Sequence, residues 1–218
     1  MKNLRMFANA ALTLVCCLHG AMARPQLVPE FRDDGVTISV IYYSVNNHTK
    51  VLAESIGDGA RLLNNTMVHV VSIADADIQT HILDADAVFI GAPVHFGNVA
   101  SPFLLWVEET WAPHWLNHDF AGKLGGVFAT GGGISQGIEH VLTSLQRTLN
   151  SYSFQVVIPD PTISAYTSYG VMAATKTPPF NLTAPGVAQC FLDTGKAYGQ
   201  QVANLAVAHK MVNAYLSH

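Results

Sequence analysis

Three polar or glycine-rich segments each follow a short apolar run, and their residue types suit ligand binding. The first segment, residues 44–49, reads Ser-Val-Asn-Asn-His-Thr and leads into a helical pattern. Hydroxyl and amide side chains beside a helix N-terminus, with its free N–H groups and positive dipole end, are typical of an anion-binding site. An ordinary helix cap formed by Asn47 or Thr49 accounts for the same residues. The segment therefore indicates either a single-phosphate site or a simple cap.

The other two segments add an aromatic ring, an imidazole and a run of glycines. Residues 91–98 read Gly-Ala-Pro-Val-His-Phe-Gly-Asn, and residues 130–133 read Thr-Gly-Gly-Gly. Glycine has no Cβ, so the backbone of the last segment can approach a flat ligand closely. The first apolar run is not followed by G-x-x-x-x-G-K-[ST] or G-x-G-x-x-G, which argues against a nucleoside triphosphate loop and an ordinary dinucleotide fold. Together the segments predict one pocket that suits a mononucleotide.

Ser135 indicates a different chemistry, because it lies at the centre of Gly-Ile-Ser-Gln-Gly at 133–137. A G-x-S-x-G motif between a strand and a helix is the setting of a serine nucleophile, and Asp160, Asp193 and His209 follow in the order that a catalytic triad requires. The motif resembles that of cutinase-like secreted hydrolases. However, two extra glycines separate it from the apolar run, and His209 falls in a helical pattern. A serine esterase is the less favoured alternative.

A metal site is the remaining chemical alternative. His114 and His118 are four residues apart, with Asp119 adjacent. Zinc sites use three or four protein ligands, and no further ligand is apparent nearby. The sequence therefore predicts no metal.

The elements that must position these segments alternate between short apolar runs and helical patterns. Strands are predicted at 36–43, 67–73, 87–91, 124–129 and 154–158, and helices at 49–63, 102–110, 138–150 and 187–216. Apolar strands without polar alternation are typical of a sheet buried on both faces, and intervening helices imply parallel crossovers. The prediction is an α/β fold, a doubly wound five-stranded parallel sheet with helices on both faces, whose ligands bind at the carboxyl ends of the strands.

The composition requires a large buried core and excludes several classes of protein. Of the 218 residues, 50% are hydrophobic and only 12% are charged, and the net charge is −4. This composition excludes a disordered chain and a coiled coil. The sequence has no basic cluster, so no nucleic-acid partner is expected.

The N-terminal residues have the pattern of a secretory signal peptide. Two basic residues precede an apolar run that ends in Ala-Met-Ala at 21–23, a small-x-small cleavage pattern. The run at 6–23 is short and contains polar residues, so cleavage is favoured over a membrane anchor. We expect a secreted protein with three parts: signal peptide 1–23, leader 24–35 and a single domain 36–218.

Secretion would change the cysteine content of the mature chain and would make three N-glycosylation sequons available for modification. Cleavage would leave Cys190 as the single cysteine, so the mature chain would have no intrachain disulfide. The sequons begin at Asn47, Asn64 and Asn181. A glycan on Asn47 would occupy the predicted phosphate-binding segment, so we expect Asn47 to be unglycosylated.

Four segments of the chain together match one known family. They are Tyr-Tyr-Ser at 42–44, the segments 91–98 and 130–133, and Gly-Lys-Leu at 122–124. These segments resemble the flavodoxin-like NAD(P)H:quinone oxidoreductases of the tryptophan-repressor-binding-protein type, over residues 36–210. The most specific part is Pro-x-x-Phe-Gly-Asn at 93–98. The resemblance implies a flavodoxin-like fold, a non-covalent FMN, two-electron transfer from NAD(P)H to quinones, and a homo-oligomer, dimer or tetramer.

The resemblance also implies roles for individual residues. The FMN phosphate would be held by Ser44, Val45, Asn46, Asn47, His48 and Thr49. The isoalloxazine ring would be lined by Val94, His95 and Phe96, within a cofactor-binding segment that also includes Pro93, Gly97 and Asn98. The pyrimidine end and the ribityl chain would contact Ala129, Thr130, Gly131, Gly132, Gly133 and Ile134. His95 would be the polar group nearest the ring edge and a catalytic residue.

Two positions depart from the family, and one aromatic residue has a special place in it. The family usually has Gly at the position of Asn47, where left-handed geometry also permits Asn. It usually has His near the flavin at the position of Tyr152, whose hydroxyl can still donate a hydrogen bond to a substrate as a catalytic residue. Trp115 falls where a Trp faces the flavin of a neighbouring subunit, in the substrate site. Burial of Trp115 in the core is the alternative.

The resemblance therefore predicts an FMN-dependent NAD(P)H dehydrogenase (quinone). A fold does not fix its chemistry. The main alternative is a secreted flavodoxin-like protein that keeps the pocket for binding without enzymatic activity.

Overall fold

A parallel sheet forms the centre of the computed structural model, which describes residues 35–164, 168–175 and 186–216. Its strands are β1 Val36–Tyr42, β2 Thr66–Ser72, β3 Ala87–His95, β4 Asn98–Val99, β5 Leu124–Gly131, β6 Gln155–Val156 and β7 Val171–Ala174. The strand order is β2-β1-β3-β5, and both β6 and β7 pair with β5. Every pair is parallel except the short hairpin between β3 and β4.

Helices cover both faces of this sheet. They are α1 His48–Ala60, α2 Ile78–Leu83, α3 Ser101–Asn117, α4 Ile138–Ser151 and α5 Gln189–Leu216. Successive residues of a strand face opposite sides of a sheet. In β5, Gly125 faces Leu149 of α4, whereas Gly126 faces Tyr198 of α5. The predicted doubly wound α/β fold is therefore confirmed.

The central strands lie in the core, which explains why they lack polar alternation. Every residue of β5 is buried, and in β3 the first six residues are buried. A strand covered on both faces by helices has no solvent-facing side on which polar residues would be favoured.

The fifth strand differs from the prediction at 154–158. The chain pairs with β5 only through the two residues of β6, and then leaves the sheet, where Ile158 is 54% exposed. Pro159 and Pro161 follow, and proline cannot donate a backbone hydrogen bond to a ladder. The carboxyl half of the same position is filled by β7, which pairs with β5 at Phe128–Gly131. An insertion therefore splits the fifth strand into two.

Other predicted helix and strand boundaries also differ from those in the structure. The third strand continues beyond the predicted end at 91 to His95, because Gly91, Ala92 and Pro93 still pair with β5. Helix α3 runs beyond the predicted residue 110 because Trp111, in its next turn, is fully buried. Helix α2 was not predicted from the sequence, since six residues are too few to show a helical period.

The predicted signal peptide and most of the leader, residues 1–34, lie outside the described residues. None of the helices in the described ranges combines the length and the hydrophobicity that a membrane span requires.

Candidate functional site

A cavity of about 230 Å³ lies at the carboxyl ends of β1, β3 and β5. Parallel strands bring the loops that follow them to one edge of a sheet. Its lining residues come from the three predicted segments and from the residue after β7: Ser44, Val45, Asn46, His48, Thr49, Pro93, Val94, His95, Thr130, Gly131, Gly132 and Thr175. The structure thus brings the three segments together around a single cavity.

The first segment turns the chain from β1 into α1 without an ordinary side-chain cap. Asn47, at the N-cap position, has φ 61°, the left-handed conformation that asparagine tolerates, and makes no side-chain cap hydrogen bond. The Thr49 hydroxyl is hydrogen-bonded instead to Thr130 Oγ1 at 2.8 Å. The interpretation of residues 44–49 as a simple cap is therefore wrong. The first turn of α1 therefore begins beside the cavity without a cap from either side chain, the arrangement that an anion site uses.

Ser44 supplies a further observation that points to a ligand. Its hydroxyl is buried and has no hydrogen-bond partner within the described part of the chain. Leaving such a group unpaired costs about 1–3 kcal/mol, a cost that a bound acceptor would remove. The lining residues include no Lys, Arg, Asp or Glu. A phosphate here would be held by hydroxyl groups, backbone N–H groups and the helix dipole.

Some residues of the second segment, 91–98, line the cavity, and others are exposed to solvent. Val94 and His95 line the cavity, and the His95 ring contacts the edge of Tyr43 with centroids 6.3 Å apart. Phe96 is fully exposed with φ 49° in the turn between β3 and β4, where Asn98 Nδ2 donates to Phe96 O at 3.2 Å. Phe96, Gly97 and Asn98 are not among the lining residues, and their contact with a cofactor stays a prediction.

The third segment also contributes only in part. Thr130, Gly131 and Gly132 line the cavity, whereas Ala129 is fully buried within β5. Gly133 and Ile134 are not among the lining residues, so their predicted contacts with a cofactor are untested.

Thr175 is a lining residue that sequence reasoning missed. Its hydroxyl donates to Gly131 O at 3.1 Å, and its backbone N–H donates to the same oxygen at 2.9 Å. The pairing of β7 with β5 places it there. Nothing in the local sequence marks it, because its position depends on a strand pairing across more than 40 residues.

Tyr152 lies at the opposite edge of the sheet from the cavity. It follows the last residue of α4, and its ring contacts Trp111 with centroids 5.2 Å apart and Phe120 at 5.8 Å. Burial raises the pKa of its phenol above the ordinary value. Within one chain, Tyr152 therefore does not contribute to the cavity.

Trp115 lies at the same edge as Tyr152, near the end of α3. It is 53% exposed, and its indole N–H donates to Ser151 O at 3.0 Å. The alternative that Trp115 is buried in the core is wrong, since Trp111 occupies that position. Any contact of Trp115 with a cofactor would require a second subunit.

The predicted serine triad is not assembled. His209 lines a different cavity, together with Ala85 and Asp86 at the amino end of β3. Asp160 accepts from Thr162 Oγ1 at 2.7 Å, and Asp193 accepts from the Gln189 amide at 2.9 Å. Ser135 itself is exposed in the loop after β5, so it and His209 belong to opposite edges of the sheet. The esterase alternative is wrong.

The histidines that suggested a metal site have another arrangement. His114 Nδ1 and Asp119 Oδ2 are 2.6 Å apart and form a hydrogen-bonded pair. Among the residues that the structure describes, no group of three or more His, Cys, Asp or Glu side chains could hold a metal ion.

Comparison with known proteins adds to this geometry. Residues 34–168, more than half of the chain, match the family model described as NADPH-dependent FMN reductase. The NAD(P)H dehydrogenase (quinone) of Chromohalobacter salexigens is 29% identical over 140 residues, which are 55% of this chain and 69% of that protein. A protein of the same description from Trichlorobacter lovleyi is 26% identical over 143 residues, 55% of this chain and 70% of its own length.

A solved structure supports the same fold. The WrbA-like flavodoxin of Agrobacterium tumefaciens superposes with a TM-score of 0.64 at 19% identity, covering 80% of this chain and 99% of its own. The family match confirms the resemblance inferred from the sequence and the FMN-dependent oxidoreductase chemistry expected from it. This chain belongs to the NADPH-dependent FMN reductase family.

Proposed function

We propose that the cavity holds FMN by its phosphate and that the protein reduces quinones with NAD(P)H. One observation carries the proposal: the buried Ser44 hydroxyl, which has no hydrogen-bond partner among the described residues, lies beside the start of α1, where three post-strand segments meet. This donor set fits a phosphate monoester, and Gly131 and Gly132 also line the cavity.

The chain's own residues position the cofactor and handle protons. When FMN is bound, it supplies the two-electron chemistry between NAD(P)H and the quinone. The Ser44 hydroxyl and the first-turn N–H groups of α1 orient the phosphate, and the Thr49–Thr130 hydrogen bond fixes the loop against β5. His95 can hold or donate a proton at a ring nitrogen, as quinone reduction requires, and its edge contact with Tyr43 limits its orientation.

The proposal includes a homo-oligomer, with a tetramer as its expected form. Helix α3 has an exposed apolar stripe that includes Leu105, Trp115 and Leu116, which are 54%, 53% and 74% exposed. Large exposed apolar side chains are common at protein interfaces, although the exposed Glu108 and Glu109 lie between these residues along the helix. Oligomerisation through it can bring Trp115 and Tyr152 to the cavity of a neighbouring subunit.

The proposal also includes export. The basic residues, apolar run and Ala-Met-Ala at 21–23 support cleavage after residue 23 and a secreted mature protein.

The decisive test is a visible absorption spectrum of the protein purified with FMN, followed by anaerobic addition of NADH and then a quinone. We expect flavin absorbance that bleaches with NADH and returns with the quinone. Bound flavin that NADH does not bleach would favour the non-enzymatic binding protein, and failure to bind flavin would contradict the proposal. His95→Ala should lower turnover more than FMN content, whereas equal loss of both would make His95 a binding residue.

A further inference from the structure

Two N-glycosylation sequons in the described residues have opposite surroundings. Both asparagines are exposed, but Asn64 lies in the turn between α1 and β2, whereas Asn47 precedes α1 beside the cavity. We propose that Asn64 carries an N-linked glycan in the secreted protein and that Asn47 does not, because a glycan there excludes FMN. This inference rests on the secretion and FMN binding proposed above.

The turn that contains Asn64 is ordered and distant from the cofactor loops. Val36 N–H donates to Asn65 O at 3.1 Å, and Asn65 has the left-handed φ of 59°. Thr66 pairs with Val36 at the amino ends of β2 and β1, so the turn lies at the edge of the sheet opposite the cavity. A glycan on Asn64 therefore leaves the cofactor loops free.

Exposed apolar side chains lie near Asn64 in the sequence, and a glycan on Asn64 would shield them from other chains. β2 is at the end of the strand order, and its Met67 is 61% exposed, as is Leu62 at 54% in the same turn. An open sheet edge with exposed apolar side chains is a site for unwanted pairing between chains. A glycan between these two residues in sequence would shield both.

Asn47 is exposed, as Asn64 is, but its sequon lies on the cavity side of the sheet. The hydroxyl of its Thr49 is hydrogen-bonded to Thr130, and both residues line the cavity. Asn46 and His48, on either side of Asn47, line the cavity. A chain glycosylated at Asn47 before folding would carry the sugar in the phosphate-binding segment, and it could not bind FMN.

The modification itself is an ordinary group transfer. The Asn64 amide nitrogen bonds to C1 of the first sugar of a lipid-diphosphate-linked oligosaccharide, which the secretory pathway supplies. The lipid diphosphate leaves, and the amide nitrogen loses one proton.

The test is site-by-site glycopeptide mass spectrometry on the full chain secreted from a eukaryotic host, separated into flavin-containing and flavin-free fractions. The matched variants are Thr66→Ser, which keeps the sequon, and Thr66→Val, which removes it. Thr66 Oγ1 is buried without a hydrogen-bond partner in the described residues, so replacing it with a methyl group should not disturb folding. We expect a glycan at Asn64 in wild type and Thr66→Ser, none in Thr66→Val, and equal flavin content in all three.

Several results would overturn the inference. They are an unoccupied Asn64 in secreted protein, a glycan on Asn47 in the flavin-containing fraction, or retention of the full chain in the cell without glycan. Flavin binding is measured separately on unglycosylated protein from a bacterial cytoplasm. If that protein binds no FMN, the proposed function fails, while occupancy of Asn64 still reports on the modification. Enzymatic removal of the glycan should increase light scattering at high protein concentration, and Thr66→Val should behave like the deglycosylated wild type.

Discussion

At the scale of single residues, two features in and beside the cavity are unfavourable in the free protein. The Ser44 hydroxyl is buried without a hydrogen-bond partner in the described ranges, and Asn47, next to the lining residues, has a left-handed backbone that most residue types avoid. Each feature costs stability in the free protein. Residues that break local rules in this way are expected at functional sites, which supports the proposal that this segment binds the cofactor phosphate.

Ser44→Ala is expected to weaken FMN binding without destabilising the free protein. A hydrogen bond to a charged group contributes about 1.5–3 kcal/mol, so the Kd for FMN should rise by roughly 10- to 100-fold. Removing an unpaired hydroxyl should leave the free energy of unfolding of the free protein unchanged or slightly higher. FMN fluorescence titration and urea unfolding measure the two quantities.

Ser39→Ala is the matched control for this variant. The Ser39 hydroxyl donates to His81 O at 2.6 Å and is remote from the cavity lining. This substitution should lower the free energy of unfolding and leave the Kd for FMN unchanged. An unchanged Kd in Ser44→Ala would show that its hydroxyl does not contact the cofactor.

At the scale of elements, glycines allow α1 and α5 to pack with their backbones in contact. A Cβ added at Gly199 of α5 would overlap the backbone oxygen of Ile56 in α1, and one added at Gly59 would overlap the backbone oxygen of Lys196. Backbone atoms cannot move aside as side chains do. The position of α1, which contains the last two residues of the predicted phosphate-binding segment 44–49, therefore depends on these small residues.

Gly199→Ala should destabilise the protein by about 1–3 kcal/mol or more, because the added methyl forces the two helices apart. Gly195→Ala is the control, since its Cβ would lie 3.2 Å from Leu52 Cδ1, a side-chain atom that can shift. Alanine is the better helix former by up to about 1 kcal/mol, so the control should be near neutral. Denaturant unfolding of both variants tests this, and equal effects would contradict the packing argument.

The β2 edge should weaken in acid. The rings of His69 and His81 stack with centroids 4.1 Å apart. Burial, then His81 and Arg61, lower the pKa of His69 below 6.5, and Asp84 opposes them only in part. The unfolded chain therefore binds the proton more readily, and this part of the stability is lost as pH falls below about 6.5.

Replacement of His69 by Phe keeps a stacked ring and removes the titrating group. Urea unfolding at pH 7.5 and 5.5 should show a smaller loss of stability for His69→Phe than for the wild type. The same loss in both proteins would exclude His69 as the source.

At the scale of the whole molecule, the site residues divide between the two edges of the sheet. The cavity lies at the carboxyl edge, whereas Trp115 and Tyr152 lie at the amino edge, beside the exposed apolar stripe of α3. A single chain cannot join these groups. In the proposed oligomer, Trp115 and Tyr152 of one chain would act at the cavity of another.

A double variant, Leu105→Glu with Leu116→Glu, should convert the oligomer to a monomer with an unchanged circular dichroism spectrum, because charges are excluded from apolar interfaces. Light scattering after size-exclusion chromatography measures the mass. The monomer should keep FMN with reduced quinone turnover. Leu62→Glu, on a residue that is equally exposed but outside the stripe, should leave the mass unchanged. An oligomer that survives the double variant would contradict the proposed interface.

The type of fold and the three segments that meet at the cavity could be predicted from local patterns in the amino-acid sequence. Apolar strands, intervening helices and turn residues are local patterns, and the geometry of parallel sheets fixes where the loops between them lie. Ser44, His95 and Thr130 could therefore be predicted near one another without coordinates.

Local patterns could not predict which residues of each segment line the cavity and which groups lie elsewhere. The split fifth strand, the position of Thr175 and the separation of Tyr152 from the cavity all follow from contacts between residues far apart in the chain. The free energy of such contacts depends on long-range pairing and burial, which no local stretch of sequence contains. The sequence pattern therefore predicted which loops form the cavity, whereas long-range packing determines which residues of those loops line it.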